Sequence, residues 1–299
     1  MKKLLQNIVN IHKGIPCVII GSAPSLVNFS YNNFKGQIIS VGDSAIRLKN
    51  ICKFDYWVNS NNEFPIPEIP FHLDIINNFK DYTFVFSDTV AYDTLWHKDN
   101  KFLEENILPN WLVFDERHFN KTPCVKRKNC CDILKENMNN DQYKTIQEFV
   151  AEVYSTSEFP SQGGTVAEYG LALALILGCN PIYIQGVDIP LTLDEYISPE
   201  NSYVDNILRE TDKLIADRYF KYYSKFSLVY PYWLSIKNKI KNTISRKSVF
   251  SKNYQKIMNN FQILSNIAKK ENIKIFILSE NSNLNKIDGF SYMDYRDIK

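Results

Sequence analysis

The chain has 299 residues, of which 44% are hydrophobic, and its formal net charge at pH 7 is +2. This length and apolar content suit one large α/β domain with a substantial core. No apolar run is long enough for a transmembrane helix, and the start of the chain lacks the apolar segment of a signal peptide. Six cysteines without paired spacing favour free thiols in a reducing cytoplasm over disulfides or a zinc site.

The first predicted strand covers residues 17–20, a continuous apolar run of the kind that is buried on both faces. It leads into residues 21–25, a loop of small residues and one proline. A strand that ends in such a loop is a common way to hold a nucleotide phosphate. The loop has neither the GxGxxG spacing nor the lysine of a P-loop, so both of these named motifs are absent.

Three further strands are predicted at residues 37–41, 54–58 and 82–86. The first is followed by Gly42, Asp43 and Ser44, and the second by Asn59. Small and amide-bearing residues of this kind bind sugars and bases, and they also form turns. The spacing of the apolar runs predicts βαβ units and therefore a mostly parallel sheet.

Residues 91–160 are less regular, with many aromatic and charged residues but little periodicity. A helix is predicted only near the end of this stretch, at residues 143–154. We interpret 91–160 as an irregular insertion, either a lid or a long loop.

Residues 161–190 are the most regular part of the sequence. Gly163 and Gly164 precede Thr165, which is expected to cap a helix together with Glu168 in a capping box. The helix at residues 166–177 is apolar almost all round, which predicts that it is buried. The capping box is a sufficient explanation for Glu168.

The predicted helix is followed by a short buried strand. Gly178 suits a left-handed helix end, and the apolar residues 182–185 predict a strand that ends at Gly186. Asp188 therefore follows the carboxyl end of a strand, which is where open α/β sheets bind ligands. Because a helix N-terminus attracts anions, residues 163–165 and Asp188 are predicted to supply an anion site and a carboxylate. A structural role for Asp188 is the alternative.

Basic residues are concentrated in the last third of the chain. Residues 218–270 contain twelve Lys and Arg and no Asp or Glu, which leaves −10 for the rest of a chain whose total is +2. Aromatic residues alternate with the cations between residues 219 and 254. This composition predicts docking of residues 218–256 on the anionic inner leaflet of a membrane. A solvated basic face is the alternative, and nucleic acid is not the expected partner.

The chain ends with a predicted amphipathic helix at residues 254–271 and a strand at 273–278. Small polar residues, among them Ser282, follow that strand.

Four stretches resemble, in order and spacing, the bacterial CMP-sialic-acid-dependent sialyltransferases of the single-domain α/β kind. They also resemble a broader superfamily that includes the motility-accessory-factor flagellin glycosyltransferases and the MptE-like pterin diphosphokinases. The stretches read VIIGSAPSL, ISVGDSA with DYWVNSN, GGTVAEYGLALALILGCNPIYIQGVDI, and IKIFILSENSNL.

The resemblance implies a single Rossmann-like α/β domain over residues 1–299. Its mostly parallel sheet would be flanked by helices, with the 91–160 lid insertion and the basic C-terminal helical segment. The implied donor substrate is a CMP-activated sugar acid, with no metal or other cofactor and with a glycan or glycolipid acceptor. The implied location is the cytoplasm, in peripheral contact with the inner membrane, and homo-oligomerisation is left open. The donor-binding positions are expected to be Gly21, Ser22, Ala23, Pro24, Ser25, Asp43, Ser44, Asn59, Gly164, Thr165, Gly186 and Ser282.

The general base is one point at which this chain departs from the sialyltransferases, and Ser22, where they have Asn, is another. They use a histidine between the GVD-like motif and the last strand, whereas the last histidine here is His118. Asp188 is therefore the first candidate for the base, and Asp194 or Glu195 the second. Tyr196 is the candidate for steadying the leaving phosphate.

Two other functions remain open on the sequence alone. One is a nucleotide-dependent diphosphokinase of the MptE-like kind, in which Asp43 and Asp188 would bind Mg²⁺. The other is a non-catalytic module that binds anionic surfaces through residues 218–270.

Overall fold

A computed structural model of the chain describes residues 5–21, 23, 25–26, 31, 34–42, 44, 53–59, 83–87, 111–114, 146–157, 165–189 and 254–298. Most of the predicted insertion at 91–160 and nearly all of the basic segment at 218–256 lie outside these residues. The lid, the membrane-docking segment and the single-domain organisation therefore stay predictions.

The described residues form an eight-stranded sheet in which every strand pair is parallel. Its spatial order is β5-β4-β3-β2-β1-β6-β7-β8. The predicted α/β class with a parallel sheet is thus confirmed. The strands are β1 (Cys17–Ile20), β2 (Gln37–Val41), β3 (Tyr56–Asn59), β4 (Thr83–Ser87), β5 (Trp111–Phe114), β6 (Ile182–Gln185), β7 (Ile275–Ile277) and β8 (Phe290–Tyr292).

The direction in which strands are added reverses once. From β1 the chain adds β2 to β5 on one side, and it then returns to place β6 on the other side of β1. Adjacent parallel strands whose connections leave to opposite sides open a crevice at their carboxyl ends. The crevice between β1 and β6 is therefore where this fold is expected to bind a ligand.

Two strands were not predicted from the sequence. β5 (Trp111–Phe114) is a four-residue apolar run like that of β1, but it lies inside the stretch interpreted as irregular and was not recognised there. β8 (Phe290–Tyr292) is a three-residue edge strand with only Phe290 buried, so it has no apolar run to detect. β5 and β8 are the outermost strands of the sheet.

Three α-helices are described: α1 (Ile146–Val153), α2 (Val166–Ile176) and α3 (residues 254–270). Every residue of α2 from Ala167 to Ile176 is buried, as its all-round apolar sequence predicts. α2 packs on β1, β2 and β3, and α1 packs on α2. Buried side chains of all three helices belong to one hydrophobic cluster on the same face of the sheet.

The two faces of the sheet follow the two-residue period of a strand. In β1, Cys17 and Ile19 join the helix-covered cluster, whereas Val18 and Ile20 join a smaller cluster on the opposite face. Because both faces are covered, β1 reads as a continuous apolar run.

The N-terminal segment is mostly irregular within the described residues. Its described part has only a 3-10 helix at Leu5–Ile8, followed by turns. The N–H groups of Asn10 and His12 donate to the carbonyl groups of Ile176 and Leu177 at 2.8 and 2.9 Å. These bonds satisfy the free carbonyl groups at the end of α2, and they hold the segment in an irregular path.

Candidate functional site

The site residues that the structure describes lie along one edge of the sheet. Gly21, Gly42 and Gly186 follow β1, β2 and β6, and Asn59 is the last residue of β3. Because the strands are parallel, their carboxyl ends share this edge. The N-terminal end of α2 is at the same edge, since a Cβ built on Gly42 would lie 3.2 Å from Cγ1 of Val166.

Two glycines bring the loops after β1 and β6 into contact. The N–H of Gly21 donates to the carbonyl of Gln185 at 2.8 Å, and that of Ala23 donates to the carbonyl of Gly186 at 2.9 Å. A Cβ on Gly21 would lie 2.2 Å from the carbonyl oxygen of Gly186. Gly186 itself has φ +66°, a left-handed conformation that favours glycine. The floor of the crevice is therefore formed by direct backbone contact between the loop after β1 and the loop after β6.

Asp188 is bound by the loop that follows β1. The hydroxyl of Ser25 donates to Oδ1 of Asp188 at 2.6 Å, and the N–H of Ser25 lies 3.4 Å from Oδ2. Asp188 is only half-buried, and a carboxylate has about four acceptor positions. It can therefore accept a further hydrogen bond or a proton. The structure thus brings together two predicted site residues that are 163 positions apart.

Gln185 is a residue of this crevice that the sequence reading did not select. It ends β6, is 1% exposed, and donates from Nε2 to the carbonyl of Ser25. Its Oε1 is buried without a partner among the described residues. The signal in the sequence is a polar amide at the end of an otherwise apolar strand.

The segment after β7 supports Asp188 from the other side. The N–H of Asn283 donates to the carbonyl of Asp188 at 3.0 Å, and its Nδ2 donates to the carbonyl of Ile189 at 2.8 Å. Ile189 has φ +48°, so these bonds hold a strained backbone conformation in place. Asn283 is a second supporting residue that was not selected from the sequence.

Two predicted ligand-binding serines have hydroxyl groups that hold the loops together. The hydroxyl of Ser282, 4% exposed, donates to the carbonyl of Val187 at 2.7 Å and accepts from the N–H of Leu284. Ser44 is fully buried, with its hydroxyl 2.7 Å from the carbonyl oxygen of Ile20. Their contribution within the described residues is to shape the edge, and their contact with a donor stays a prediction.

The N-terminal end of α2 has the predicted capping box. Thr165 accepts from the N–H of Ala167 at 3.1 Å, and its own N–H donates to Oε1 of Glu168 at 3.1 Å. Glu168 is 2% exposed, and its Oε2 accepts from Nδ2 of Asn260 at 2.7 Å. Burial raises the pKa of Glu168 to about 8, against the lowering effect of Asn260, Thr165 and the charge of Lys256. Glu168 is therefore mostly neutral at pH 7.

Several predicted site residues lie outside the described residues, as does the side chain of Asn59. Their roles stay predictions. They are Ser22, Pro24, Asp43, Gly164, Glu195 and Tyr196.

No group of three or more His, Cys, Asp or Glu side chains in the described part of the chain is arranged to hold a metal ion. None of the helices within the same residues is long and apolar enough to cross a membrane.

No family model and no curated protein matches this chain. Solved structures with a similar fold include the sialyltransferase CstII from Campylobacter jejuni in complex with the substrate analogue CMP-3FNeuAc. That match has 15% identity and a TM-score of 0.40, and it covers 91% of this chain and 85% of the other. The alpha-2,3-sialyltransferase from Campylobacter jejuni in apo form has 15% identity and a TM-score of 0.39, over 92% and 79% of the two chains.

A third match is the MAf glycosyltransferase from Magnetospirillum magneticum AMB-1. It has 17% identity and a TM-score of 0.34, over 62% of this chain and 26% of the other. All three names belong to glycosyltransferases.

Proposed function

We propose that this chain is a glycosyltransferase that transfers a sugar acid from a CMP-activated donor to a glycan or glycolipid acceptor. The observation that carries the proposal is the contact between Ser25 and Asp188 across the crevice between β1 and β6. It sets a half-buried carboxylate beside a loop of small residues at the reversal point of the sheet. The motif resemblance supplies the donor class.

The donor phosphate is proposed to lie over the loop at residues 21–25, near the N-terminal end of α2. A loop of small residues allows a phosphate to approach backbone N–H groups closely. The positive end of a helix dipole favours an anion within its first turn. These donors stabilise the charge that gathers on the phosphate as the bond to the sugar breaks.

Asp188 is proposed to be the general base. The anomeric carbon of the sugar acid loses its bond to the phosphate oxygen, and CMP leaves with the electron pair. The acceptor hydroxyl oxygen forms the new bond to that carbon, while its proton passes to Asp188. Ser25 and Asn283 hold this carboxylate and its backbone in place. Asp194 or Glu195 remains the second candidate for the base, and Tyr196 remains the candidate for steadying the leaving phosphate.

Nucleotide binding is the first test. Calorimetric titrations with CMP, CTP and ATP, each with and without Mg²⁺, distinguish the proposed transferase from a diphosphokinase. Binding of CMP without metal supports the transferase. Binding of ATP that requires Mg²⁺, with no CMP binding, would overturn it in favour of the diphosphokinase.

Replacement of the proposed base is the second test. Asp188→Asn is expected to lower the transfer rate by at least ~100-fold while CMP still binds, because the amide cannot accept the proton. Asp55→Asn is the matched control. Asp55 precedes β3 at the opposite edge of the sheet, where its carboxylate accepts from the N–H of Ile38 at 2.8 Å. Near-normal transfer by Asp188→Asn would remove Asp188 from the role of base.

The cellular setting is also a proposal. Residues 218–256 would bring the enzyme to the anionic inner leaflet, where a glycolipid acceptor is available. Sedimentation with anionic and neutral vesicles tests this. Equal binding to both kinds of vesicle, or binding to neither, would contradict an electrostatic docking segment.

A further inference from the structure

A buried polar pair joins α3 to the N-terminal end of α2. Nδ2 of Asn260 donates to Oε2 of Glu168 at 2.7 Å, and the two residues are 92 positions apart in the sequence. Asn260 is 1% exposed and Glu168 is 2% exposed. A hydrogen bond to a carboxyl group is strong when it is shielded from water, and its loss leaves a buried polar group unpaired.

The other oxygen of the same carboxyl group acts on the candidate site. Oε1 of Glu168 accepts from the N–H of Thr165 at 3.1 Å, and Thr165 in turn accepts from the N–H of Ala167. Glu168 therefore connects Asn260 to the backbone at the start of α2. That backbone is the part of the helix proposed to face the donor phosphate.

We propose that Asn260 is a positioning residue of the nucleotide site, acting through the carboxyl group of Glu168 on the Thr165 end of α2. This inference rests on the proposed function, because it assumes that the donor phosphate lies near that end of the helix. Asn260 holds the carboxyl group, and it also takes part in setting whether that group is charged.

The charge of Glu168 matters because an ionised carboxylate would repel an anionic ligand bound near it. Glu168 is the acidic residue of the first turn of α2, and Lys256 is the charged side chain of α3 that acts on it. Lys256 lies four residues before Asn260 and so on the same side of α3. With its pKa raised to about 8, Glu168 is mostly neutral at pH 7 and leaves the positive end of the helix available to a phosphate.

The sign of the pH dependence follows from this arrangement. As the pH rises through about 8, Glu168 loses its proton and becomes negative. A bound phosphate disfavours that ionisation because like charges repel. The bound form therefore keeps the proton on Glu168, and the affinity for the phosphate falls as the pH rises. The phosphate of CMP keeps a nearly constant charge above about pH 7, since its second pKa is about 6. Titration of the ligand therefore does not account for the effect.

The experiment measures the affinity for CMP by calorimetry from about pH 7 to about pH 9. In the unmodified chain the affinity is expected to fall by roughly fivefold to tenfold over this range. Glu168→Gln carries no titratable group and is expected to give a nearly flat profile. Asn260→Ala removes a hydrogen bond that favours the charged form of Glu168. The affinity of this variant for CMP is therefore expected to fall at a higher pH than that of the unmodified chain.

Ser265→Ala is the matched control on the same helix. Ser265 is fully buried and donates from its hydroxyl to the carbonyl of Asp288 at 2.6 Å. Its loss disturbs the anchoring of α3 without changing a hydrogen bond to Glu168. This variant is expected to keep the pH profile of the unmodified chain.

The outcomes separate the two proposals. Absence of CMP binding by the unmodified chain at pH 7 refutes the proposed function and this inference with it. If CMP binds but the Glu168→Gln profile falls in parallel with that of the unmodified chain, only this inference is overturned. The same holds if Asn260→Ala leaves the profile where it was, because the Asn260–Glu168 pair is then purely structural.

Discussion

Gly21→Ala tests the contact between the two loops that form the floor of the crevice. The added Cβ would lie 2.2 Å from the carbonyl oxygen of Gly186, 2.7 Å from Cγ2 of Val187 and 2.9 Å from the carbonyl carbon of Gly186. Real Cβ contacts essentially never fall below 3.0 Å. The loops after β1 and β6 must therefore separate by most of an ångström for the new methyl group to fit.

The magnitude follows from what surrounds the new atom. Two of the three contacts are with backbone, which cannot rotate away as a flexible side chain can. Overpacking of this kind costs about 1–3 kcal/mol. Separation also strains the hydrogen bond from Gly21 to Gln185, at 2.8 Å, and that from Ala23 to Gly186, at 2.9 Å. Each such bond contributes about 1 kcal/mol, and weakening both without breaking them costs about 1 kcal/mol in all, so we expect a total loss of roughly 2–4 kcal/mol in the free energy of unfolding.

The assay is denaturant unfolding followed by circular dichroism, together with calorimetric titration with CMP. The matched control is Gly14→Ala, because a Cβ on Gly14 has nothing within 4 Å and the residue has φ +75°. The control isolates the cost of a left-handed conformation, about 1–2 kcal/mol. Gly21 does not have a positive φ, so the loss of stability in Gly21→Ala would come from the steric contact alone.

Gly21→Ala is further expected to weaken CMP binding by at least about tenfold, because the displaced loop is the proposed phosphate site. Gly14→Ala should leave CMP affinity unchanged, since Gly14 precedes β1 at the opposite edge of the sheet. If Gly21→Ala is no less stable than Gly14→Ala and binds CMP normally, the close backbone contact is not what shapes the crevice.

Two further predictions concern the core. Gly170→Ala would place a Cβ 2.6 Å from Cγ1 of Val41 and 3.1 Å from Cγ2 of Ile19. We expect a loss of about 1–2 kcal/mol despite the better helix propensity of alanine, and an unfolding curve that matches or exceeds the unmodified stability would contradict the tight packing of α2 on the sheet. Cys17 and Cys179 are fully buried. Burial is the largest of the effects that raise the pKa of the Cys17 thiol well above its usual value. Peptide mass spectrometry after alkylation should therefore find both thiols unmodified in the native chain and modified in denaturant, and labelling of either thiol without denaturant would show that this part of the core opens readily.

The sequence alone determined the elements whose signals are local. The apolar run at Cys17–Ile20 encodes burial on both faces, and the run at Ile182–Gln185 does the same, so both strands were predicted close to their observed bounds. The capping box at Thr165 was readable because its partners are three residues apart. Gly178 was readable as a helix end because only its own conformation, φ +75°, was at issue.

The tertiary structure alone decided which distant residues meet. A pattern of apolar residues records that a strand is buried but not which strand lies beside it, so the pairing of β1 with β6 and the outermost positions of β5 and β8 were not readable. The Ser25–Asp188 contact spans 163 positions, and the Asn260–Glu168 contact spans 92. Even the charge of Glu168 depends on the second of these contacts, because a carboxyl group takes its pKa from the water it loses and the partners it gains on folding.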